Sequence, residues 1–404
     1  GRIDCAWYGY ADTDTFTHLF SVQQRQYMAS LSNKDLPHGP WLPLDVLYDR
    51  APDYIILDFW PLIDETDMYP YRHLVAKIDL KQGEVKILAE PGRETGGGQI
   101  DAFAASSRDE AFFGLESGQG YVFDLNRGLT RLIYNQPEVR VRAAAFSGDG
   151  SCLAVATQGG EVLLYKATGA PVSLGSKLGE VVSLAVDQEG TKVWAMSADK
   201  SRPDSFVLTR LQADQPQPLT WPLAAGGRPL LDYDPKAGRA VLLRPGAETG
   251  AEPALVWAEG QAELRSVDLK NQYGLDLKCP KELTSWSALT QTLFYQCYSD
   301  FNKTYSTPLA HSLAKGHSRL LRRGNFMWTA AHVTEKALFH ENGLLAALLE
   351  KGTNAPAGFS IYNLTTGSLL MQLEDPTKPV SGLKDGAFLS GSPVRLITVG
   401  HDEE

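Results

Sequence analysis

The chain has 404 residues, of which 43% are hydrophobic and 21% are charged. This is the composition of a folded globular protein, and it excludes disordered, collagenous and coiled-coil chains. The 38 basic and 48 acidic residues give a formal net charge of −10, which disfavours nucleic acid as a partner because its phosphates are anionic. No run of 18 apolar residues occurs, so the sequence predicts no transmembrane helix.

A hairpin recurs along the chain, made of an alternating strand, a short turn rich in Asp, Asn and Gly, and a second strand. Clear copies span residues 74–88, 121–133, 162–169 and 359–371, and degenerate copies span residues 206–219, 254–267 and 307–321. Successive turns lie 41 to 56 residues apart, measured between Gly83, Gly128, Gly169, Asp214, Gly260, Gly316 and Gly367. This period is the length of one four-stranded blade of a β-propeller.

A second kind of strand pair lies between the hairpins. Residues 141–156 contain a strand, the turn Ser147-Gly-Asp-Gly-Ser and a returning strand of small residues, and residues 181–195 and 230–243 repeat this plan. Small side chains suit the inner strands of a blade, where neighbouring sheets converge. Each repeat is therefore predicted to contain four strands.

The two ends of the chain complete the pattern. Residues 386–399 supply two inner strands with no hairpin after them, and residues 16–22 and 25–31 supply two strands with no inner pair before them. We therefore predict a composite closing blade from about residues 5–32 and 383–400. The predicted fold class is an all-β propeller of four-stranded blades, a single domain over residues 1–404. It has eight blades, or seven if the N-terminal run is only one strand.

The pattern resembles the broad WD40 and YVTN-type β-propeller superfamily over nearly the whole chain. The resemblance is carried by the turns Ser147-Gly-Asp-Gly-Ser and Asp187-Gln-Glu-Gly and by the hairpins that contain Ile78-Asp-Leu and Phe123-Asp-Leu. The Trp-Asp dipeptide typical of WD40 repeats is absent, so the YVTN-like branch fits better. The resemblance implies the architecture and transfers no catalytic residue to this chain.

Motifs for nucleophilic catalysis, phosphate binding and metal ligation are missing, so the sequence predicts no catalytic residue, no cofactor and no metal site. The most unusual segment is residues 58–73, which is longer than a blade turn requires and rich in aromatic and acidic residues. Long loops in compact domains often carry function. We predict a partner-binding surface here, formed by Trp60, Asp64, Glu65, Asp67, Tyr69, Tyr71 and Arg72. The alternative is an insertion whose aromatic rings pack on the neighbouring blade.

Basic residues mark a second candidate surface. Arg140 and Arg142 flank the start of a strand, and Lys200 and Arg202 lie in a loop that joins two strands of one blade. If these loops share a face, their charges would meet an anionic ligand in an otherwise acidic protein. His332 stands at the end of a predicted inner strand, where it could face the channel of a propeller. The alternatives are solvated surface charge and a structural histidine.

The four cysteines show no metal-binding spacing. Cys279 and Cys297 lie in two strand-like runs joined by a turn centred near residues 286–287, so antiparallel pairing of the runs would bring the two sulfurs together. A disulfide between them would imply an oxidising compartment, either the periplasm or the extracellular space. Two buried thiols in a cytoplasmic protein are the alternative.

These features favour a non-catalytic propeller scaffold that binds a protein or peptide partner through loops on one face. One alternative is a periplasmic enzyme or enzyme subunit, because the chain is similar to the heavy chain of quinone-dependent amine dehydrogenases. The similarity lies in size, exported location, propeller fold and paired cysteines within one blade. In that family the quinone lies in a separate subunit, so the resemblance implies no redox centre in this chain. Binding of a carbohydrate or another small ligand is the remaining alternative.

Overall fold

The computed structural model describes a large part of the chain. The described residues are 15–21, 25–32, 41–48, 54–61, 74–79, 85–89, 100–213 except 125, 128, 168, 176, 203 and 204, 219–223, 230–234, 238–243, 254–258, 265–267, 269, 281–287, 290–298, 305–321, 329–330, 332–352, 358–373, 383–389 and 394–401. All regular secondary structure in these residues is β-strand.

The strands follow one another with short connections. The first ten are β1 (Thr15–Ser21), β2 (Gln26–Ser32), β3 (Trp41–Tyr48), β4 (Tyr54–Pro61), β5 (Leu74–Asp79), β6 (Val85–Ala89), β7 (Ile100–Ala105), β8 (Glu110–Leu115), β9 (Gln119–Asp124) and β10 (Leu129–Asn135). The next twelve are β11 (Val141–Phe146), β12 (Cys152–Thr157), β13 (Val162–Lys166), β14 (Val172–Gly175), β15 (Val181–Val186), β16 (Lys192–Ala198), β17 (Phe206–Gln212), β18 (Leu219–Leu223), β19 (Leu230–Asp234), β20 (Arg239–Leu243), β21 (Ala254–Ala258) and β22 (Arg265–Ser266). The last eleven are β23 (Lys281–Ser287), β24 (Thr292–Tyr298), β25 (Tyr305–Ser312), β26 (His317–Leu320), β27 (Thr329–Ala330), β28 (His332–Phe339), β29 (Leu345–Gly352), β30 (Gly358–Asn363), β31 (Leu369–Leu373), β32 (Leu383–Leu389) and β33 (Arg395–His401).

The described strands pair into eight sheets, each built on four strands in sequence-adjacent antiparallel order. The predicted all-β class with four-stranded repeats is confirmed. Every predicted hairpin appears as the third and fourth strands of a sheet, beginning with β5–β6 and ending with β30–β31. One sheet differs, because its order β2-β1-β33-β32 joins strands from both ends of the chain, and β1 pairs antiparallel with β33.

The chain divides into two compact units, residues 1–97, 349–360 and 372–404, and residues 98–348 and 361–371. The first unit contains the sheets β2-β1-β33-β32 and β3-β4-β5-β6. The second unit contains the five sheets from β7 to β27, and most of the described buried side chains belong to it.

In the second unit, consecutive sheets pack face to face. Cores lie between the first and second sheets, around Phe112 and Val155, and between the second and third, around Ala154 and Val193. Because both faces of the middle strands are covered, β12 is buried along its whole length and does not alternate. Each fully buried Val, Leu or Phe side chain contributes about 1.5–3 kcal/mol to folding. The small-residue inner strands predicted from sequence are confirmed in β11 and β12.

Hydrogen bonds also join the turns of consecutive sheets. Arg108, in the turn between β7 and β8, donates from Nε to the carbonyl of Asp149 at 2.8 Å. Asp149 lies in the next such turn, where its N–H and that of Gly148 donate to the carbonyls of Gln188 and Asp187 at 3.0 and 3.2 Å. Equivalent turns of three consecutive sheets are thus linked in series, which fixes the spacing of the sheets.

The structure differs from the sequence expectation around residues 58–73. Strand β4 extends to Pro61, so Trp60 lies in a strand, opposite Leu42 of β3, and not in a loop. Prolines at positions 43 and 61 and the unbroken apolar run from Tyr54 to Leu57 hide the alternation that marks most strands. The remaining residues of this prediction, Asp64, Glu65, Asp67, Tyr69, Tyr71 and Arg72, lie outside the described residues.

The cysteine hairpin is also shifted from its predicted position. The strand that pairs with β24 is β23, so the turn falls at residues 288–291, and Lys281 stands opposite Cys297. Cys297 is 1% exposed and disulfide-bonded. Cys279 lies outside the described residues. Cys152 is a buried free thiol.

Candidate functional site

Each sheet of the second unit has two ends. The upper end is where its first strand begins and its second strand turns into the third; the lower end carries the other two turns. At the upper end, the N–H of Gln158, in the β12–β13 turn, donates to the carbonyl of Arg140 at 2.8 Å. In the next sheet, the N–H of Ala198 donates to the carbonyl of Glu180 at 2.9 Å. The residues that precede β11 and β15 are therefore fixed by the same kind of bond.

A buried tyrosine fixes the chain that approaches Arg140. The hydroxyl of Tyr134 donates to the carbonyl of Val139 at 3.2 Å. Burial, together with nearby Tyr165 and Glu161, raises the pKa of Tyr134 to about 12. Tyr134 consequently keeps its proton at all physiological pH values and remains a hydrogen-bond donor.

Arg140 and Arg142 form an ion network with carboxylates from the two neighbouring sheets, one on each side of their own. Asp101, from β7, has its Oδ2 atom 4.0 Å from Nη1 of Arg140 and 4.0 Å from Nη1 of Arg142. Nη2 of Arg140 also contacts Oε1 of Glu116, in the β8–β9 turn. Nε of Arg142 lies 3.6 Å from Oε1 of Glu180, just before β15. The network thus connects the upper ends of all three sheets.

The network holds its arginines at the surface. Asp101 is 11% exposed, whereas the side chains of Arg140 and Arg142 are 37% and 30% exposed. Three carboxylates compensate two guanidinium groups, so these arginines are not the free positive charges that the sequence suggested for an anionic ligand. The arrangement is a surface of mixed charge, with donors and acceptors that a protein partner can contact.

Lys200 and Arg202 lie in the β16–β17 loop, which is ordered by its own side chains. Oδ1 of Asp199 accepts hydrogen bonds from the hydroxyl and the N–H of Ser201 at 2.6 and 2.8 Å. These bonds, with the hydroxyl first, lower the pKa of the Asp199 carboxyl. Nζ of Lys200 donates to the carbonyl of Lys177 at 3.0 Å, and Arg202 is exposed.

The structure brings the four predicted basic residues to the same end of two neighbouring sheets. Ser197, near the end of β16, pairs with Val181 at the start of β15, so the following loop lies at the upper end beside Glu180. Arg140 and Arg142 lie at the upper end of the preceding sheet. The two loops therefore lie at the same end of neighbouring sheets, and the prediction that they meet an anionic ligand stays a prediction.

His332 is placed differently from the sequence expectation. It begins β28 and does not end a strand, so its backbone lies at the start of the first strand of the sheet β28-β29-β30-β31. The preceding short strand, β27, pairs separately with β25, which separates it from the run that contains His332.

Sequence reasoning missed the acidic half of the ion network. Asp101, Glu116 and Glu180 are each an ordinary carboxylate in the sequence, and none belongs to the repeat that contains Arg140. Their positions were the only signal in the sequence, because each of these carboxylates lies near the end of a predicted strand, at the upper end of its repeat. Aligning the repeats by strand boundary would have grouped them with Arg140.

The described residues contain no group of three or more side chains suited to hold a metal ion. No helix among them is long and apolar enough to cross a membrane.

No family model matches the chain, and no curated protein matches it. Several solved structures match the chain. An oligogalacturonate lyase in complex with manganese shares 12% identity over 83% of this chain and 97% of its own, with a TM-score of 0.51. The oligogalacturonate lyase of Vibrio parahaemolyticus shares 10% identity over 97% of this chain and 98% of its own, with a TM-score of 0.52. A prolyl endopeptidase shares 11% identity over 88% of this chain but 55% of its own, with a TM-score of 0.52.

At such low identities the similarity shows the fold alone. The lyases match along almost their whole length, and their β-propeller fold agrees with the four-stranded antiparallel sheets described above. The chain therefore has a fold of the broad β-propeller type.

Proposed function

We propose that the protein is a non-catalytic scaffold that binds a protein or peptide partner through the upper end of its sheets. The observation that carries the proposal is the ion network, in which Arg140 and Arg142 are held by Asp101, Glu116 and Glu180 while about a third of each arginine side chain stays exposed.

Prior ordering favours binding because a long side chain loses about 0.5–1.5 kcal/mol of conformational freedom when an interface immobilises it. The network has already restricted two arginines. The loop that carries Lys200 and Arg202 is ordered by Asp199 in the same way. Arginine is also enriched at the centres of protein interfaces. A partner with both acidic and hydrogen-bonding groups would meet this surface at a low entropic cost.

Quantitative affinity capture tests the proposal. The tagged full chain is compared with the double variant Lys200→Glu/Arg202→Glu and with the control Lys315→Glu/Arg265→Glu, which has the same change of charge at other exposed positions. We expect one or more specific partners whose recovery falls at least tenfold with the first variant and is unchanged with the control. Equal recovery with both variants contradicts the proposal, provided that thermal melts show both to be folded.

The proposal includes a second contact surface at Trp60 and the residues from Asp64 to Arg72. Aromatic side chains flanked by carboxylates suit a partner with basic and apolar groups. Tyr69→Ala/Tyr71→Ala is expected to reduce recovery of the same partner by at least fivefold. Unchanged recovery would show that this segment is not part of the binding surface, and the proposal for the upper end would stand.

We also propose that Cys297 pairs with Cys279 and that the protein works in an oxidising compartment, the periplasm or the extracellular space. The disulfide at Cys297 supports this, because such bonds persist mainly outside the cytosol. Peptide mapping without reduction is expected to find the two cysteines linked. A free thiol at Cys297 in protein from the native host would contradict the proposal.

We further propose a single domain whose sheets are eight blades, closed by the terminal sheet. The eight sheets and the pairing of β1 with β33 support it. Deletion of residues 1–32 removes β1 and β2 and leaves β33 paired only with β32, so it should destabilise the entire chain in one transition. If the full chain instead unfolds in two steps and the deletion removes only the smaller step, the single closed domain is contradicted.

A further inference from the structure

A cleft of about 630 Å³ lies at the lower end, between the sheets β7–β10 and β11–β14. Its floor continues the core between these sheets and includes Val122, Ile133, Phe146, Leu153 and Tyr165. The cleft thus combines apolar surface with charged and polar groups, and a cleft of this volume can hold a ligand. The cleft lies at the opposite end of the sheets from the ion network.

The rim of the cleft is basic, although the protein as a whole is acidic. Its lining includes four cations and two carboxylates, namely Arg108, Arg127, Arg131, Lys166, Glu110 and Asp124. This local excess of positive charge attracts acidic groups, although the chain as a whole has a net charge of −10.

Part of this charge is already engaged within the protein. Oδ1 of Asp124 accepts hydrogen bonds from the N–H groups of Asn126 and Arg127 at 3.0 and 2.8 Å, so this carboxylate serves the β9–β10 turn. Arg127 also lies 3.8 Å from the other oxygen of Asp124.

Two other cations remain available. Arg131, on β10, and Lys166, at the end of β13, are exposed on opposite sides of the cleft. Neither has a carboxylate partner among the described residues. Ile133 and Tyr165, which are half-buried, line the cleft together with these two cations, so an acidic ligand held here would also meet apolar surface.

We propose that this cleft binds an acidic peptide segment of a protein partner, with one apolar side chain on the floor and carboxylates between Arg131 and Lys166. The apolar floor distinguishes such a peptide from a small inorganic anion, which would leave the half-buried Ile133 and Tyr165 uncovered. The exposed Leu129, at the start of β10, extends the apolar surface beyond the cleft and suits a segment of several residues.

This inference rests on the proposed scaffold function but uses the other end of the sheets, so the two can fail separately. If Arg131→Glu/Lys166→Glu leaves capture of a partner by the upper end unchanged, the scaffold function stands without the cleft. If Lys200→Glu/Arg202→Glu has no effect on capture while the cleft binds acidic peptides, the upper-end proposal fails and the cleft remains.

The test is selection from a displayed library of random twelve-residue peptides on the immobilised full chain. Selected peptides are then synthesised with a fluorescent label and their affinities measured by anisotropy. The variants are Arg131→Glu/Lys166→Glu and, as a charge-matched control away from both proposed surfaces, Lys315→Glu/Arg265→Glu. Thermal melts establish that both variants are folded.

We expect enrichment of peptides in which acidic residues surround an apolar one, at least tenfold weaker binding to the cleft variant, and unchanged binding to the control. Affinity should fall as salt rises, because the attraction is partly between exposed charges. Enrichment without acidic residues, or equal binding to both variants, overturns the proposal. Complete displacement of the peptides by 10 mM inorganic phosphate at constant ionic strength also overturns it, since it would identify a small-anion site.

Discussion

Substitution of Gly190 tests whether the lower turns of neighbouring sheets are packed against each other. Gly190 has a φ of +70° in the β15–β16 turn, and a Cβ there would lie 2.5 Å from the Cβ of Cys152 in the preceding sheet. Gly169 is a matched control, because its φ is +101° and nothing lies within 4 Å of an added Cβ. Both alanine variants carry backbone strain, but only Gly190→Ala adds a clash between sheets.

The magnitudes separate the two variants. A left-handed backbone costs an L-residue about 1–2 kcal/mol, which applies at both positions. Forcing an extra carbon into a filled contact adds about 1–3 kcal/mol, which applies only at Gly190. We therefore expect Gly190→Ala to lower the free energy of unfolding by about 2–5 kcal/mol, and Gly169→Ala by about 1–2 kcal/mol.

Urea unfolding followed by tryptophan fluorescence measures the difference, since Trp194 is fully buried in the sheet that carries Gly190. Midpoints convert to free energies when the slopes of the transitions agree. Equal losses for Gly190→Ala and Gly169→Ala would refute the reasoning, because the clash with Cys152 would then be absent.

Three further predictions concern charge and thiols. Asp101→Asn should lower the free energy of unfolding by about 1–2 kcal/mol, because it removes a carboxylate from two partly buried arginines. Glu180→Gln, at an exposed position, should change the free energy of unfolding by less than about 0.5 kcal/mol. Equal urea midpoints for the two variants would contradict the ion network. The pKa of Asp149 is lowered, chiefly by the N–H of Ser151, so its contribution is present above its ordinary pKa of 3.8 and is lost as the pH falls through the lower, folded value. The stability lost in Asp149→Ala, about 1 kcal/mol at pH 7, should therefore shrink in melts below pH 3.8, and a loss that grows on acidification would contradict this. Iodoacetamide should label Cys152 only after unfolding, as followed by mass spectrometry, and rapid labelling of the native protein would show that this thiol is not buried.

The repeated hairpins could be predicted from sequence because their information is local. An alternating run, a turn such as that after Phe123-Asp-Leu and a second run lie within about fifteen residues, and the turn chemistry fixes the register. The inner pairs around Ser147 and Asp187 were predicted for the same reason. In both turns the side chain caps its own loop, as Oδ1 of Asp187 does by accepting from the N–H of Thr191 at 2.6 Å.

Features that depend on distant residues could not be predicted in this way. Strands β3 and β4 were missed because the run from Tyr54 shows no alternation, and only pairing with other strands defines it. The ion network of Arg140 joins side chains from three repeats, and the cleft joins cations from two. Their residue types are ordinary for a protein surface, so the sheet stacking alone brings them together.

The proposed function requires that a partner binds at the upper end of the sheets. Hydrogen–deuterium exchange of the full chain, alone and with the captured partner, tests it most directly. We predict that protection on binding is concentrated in residues 138–142, 177–180 and 199–205. Unchanged exchange in these segments, with protection elsewhere in a stable complex, would contradict the claim.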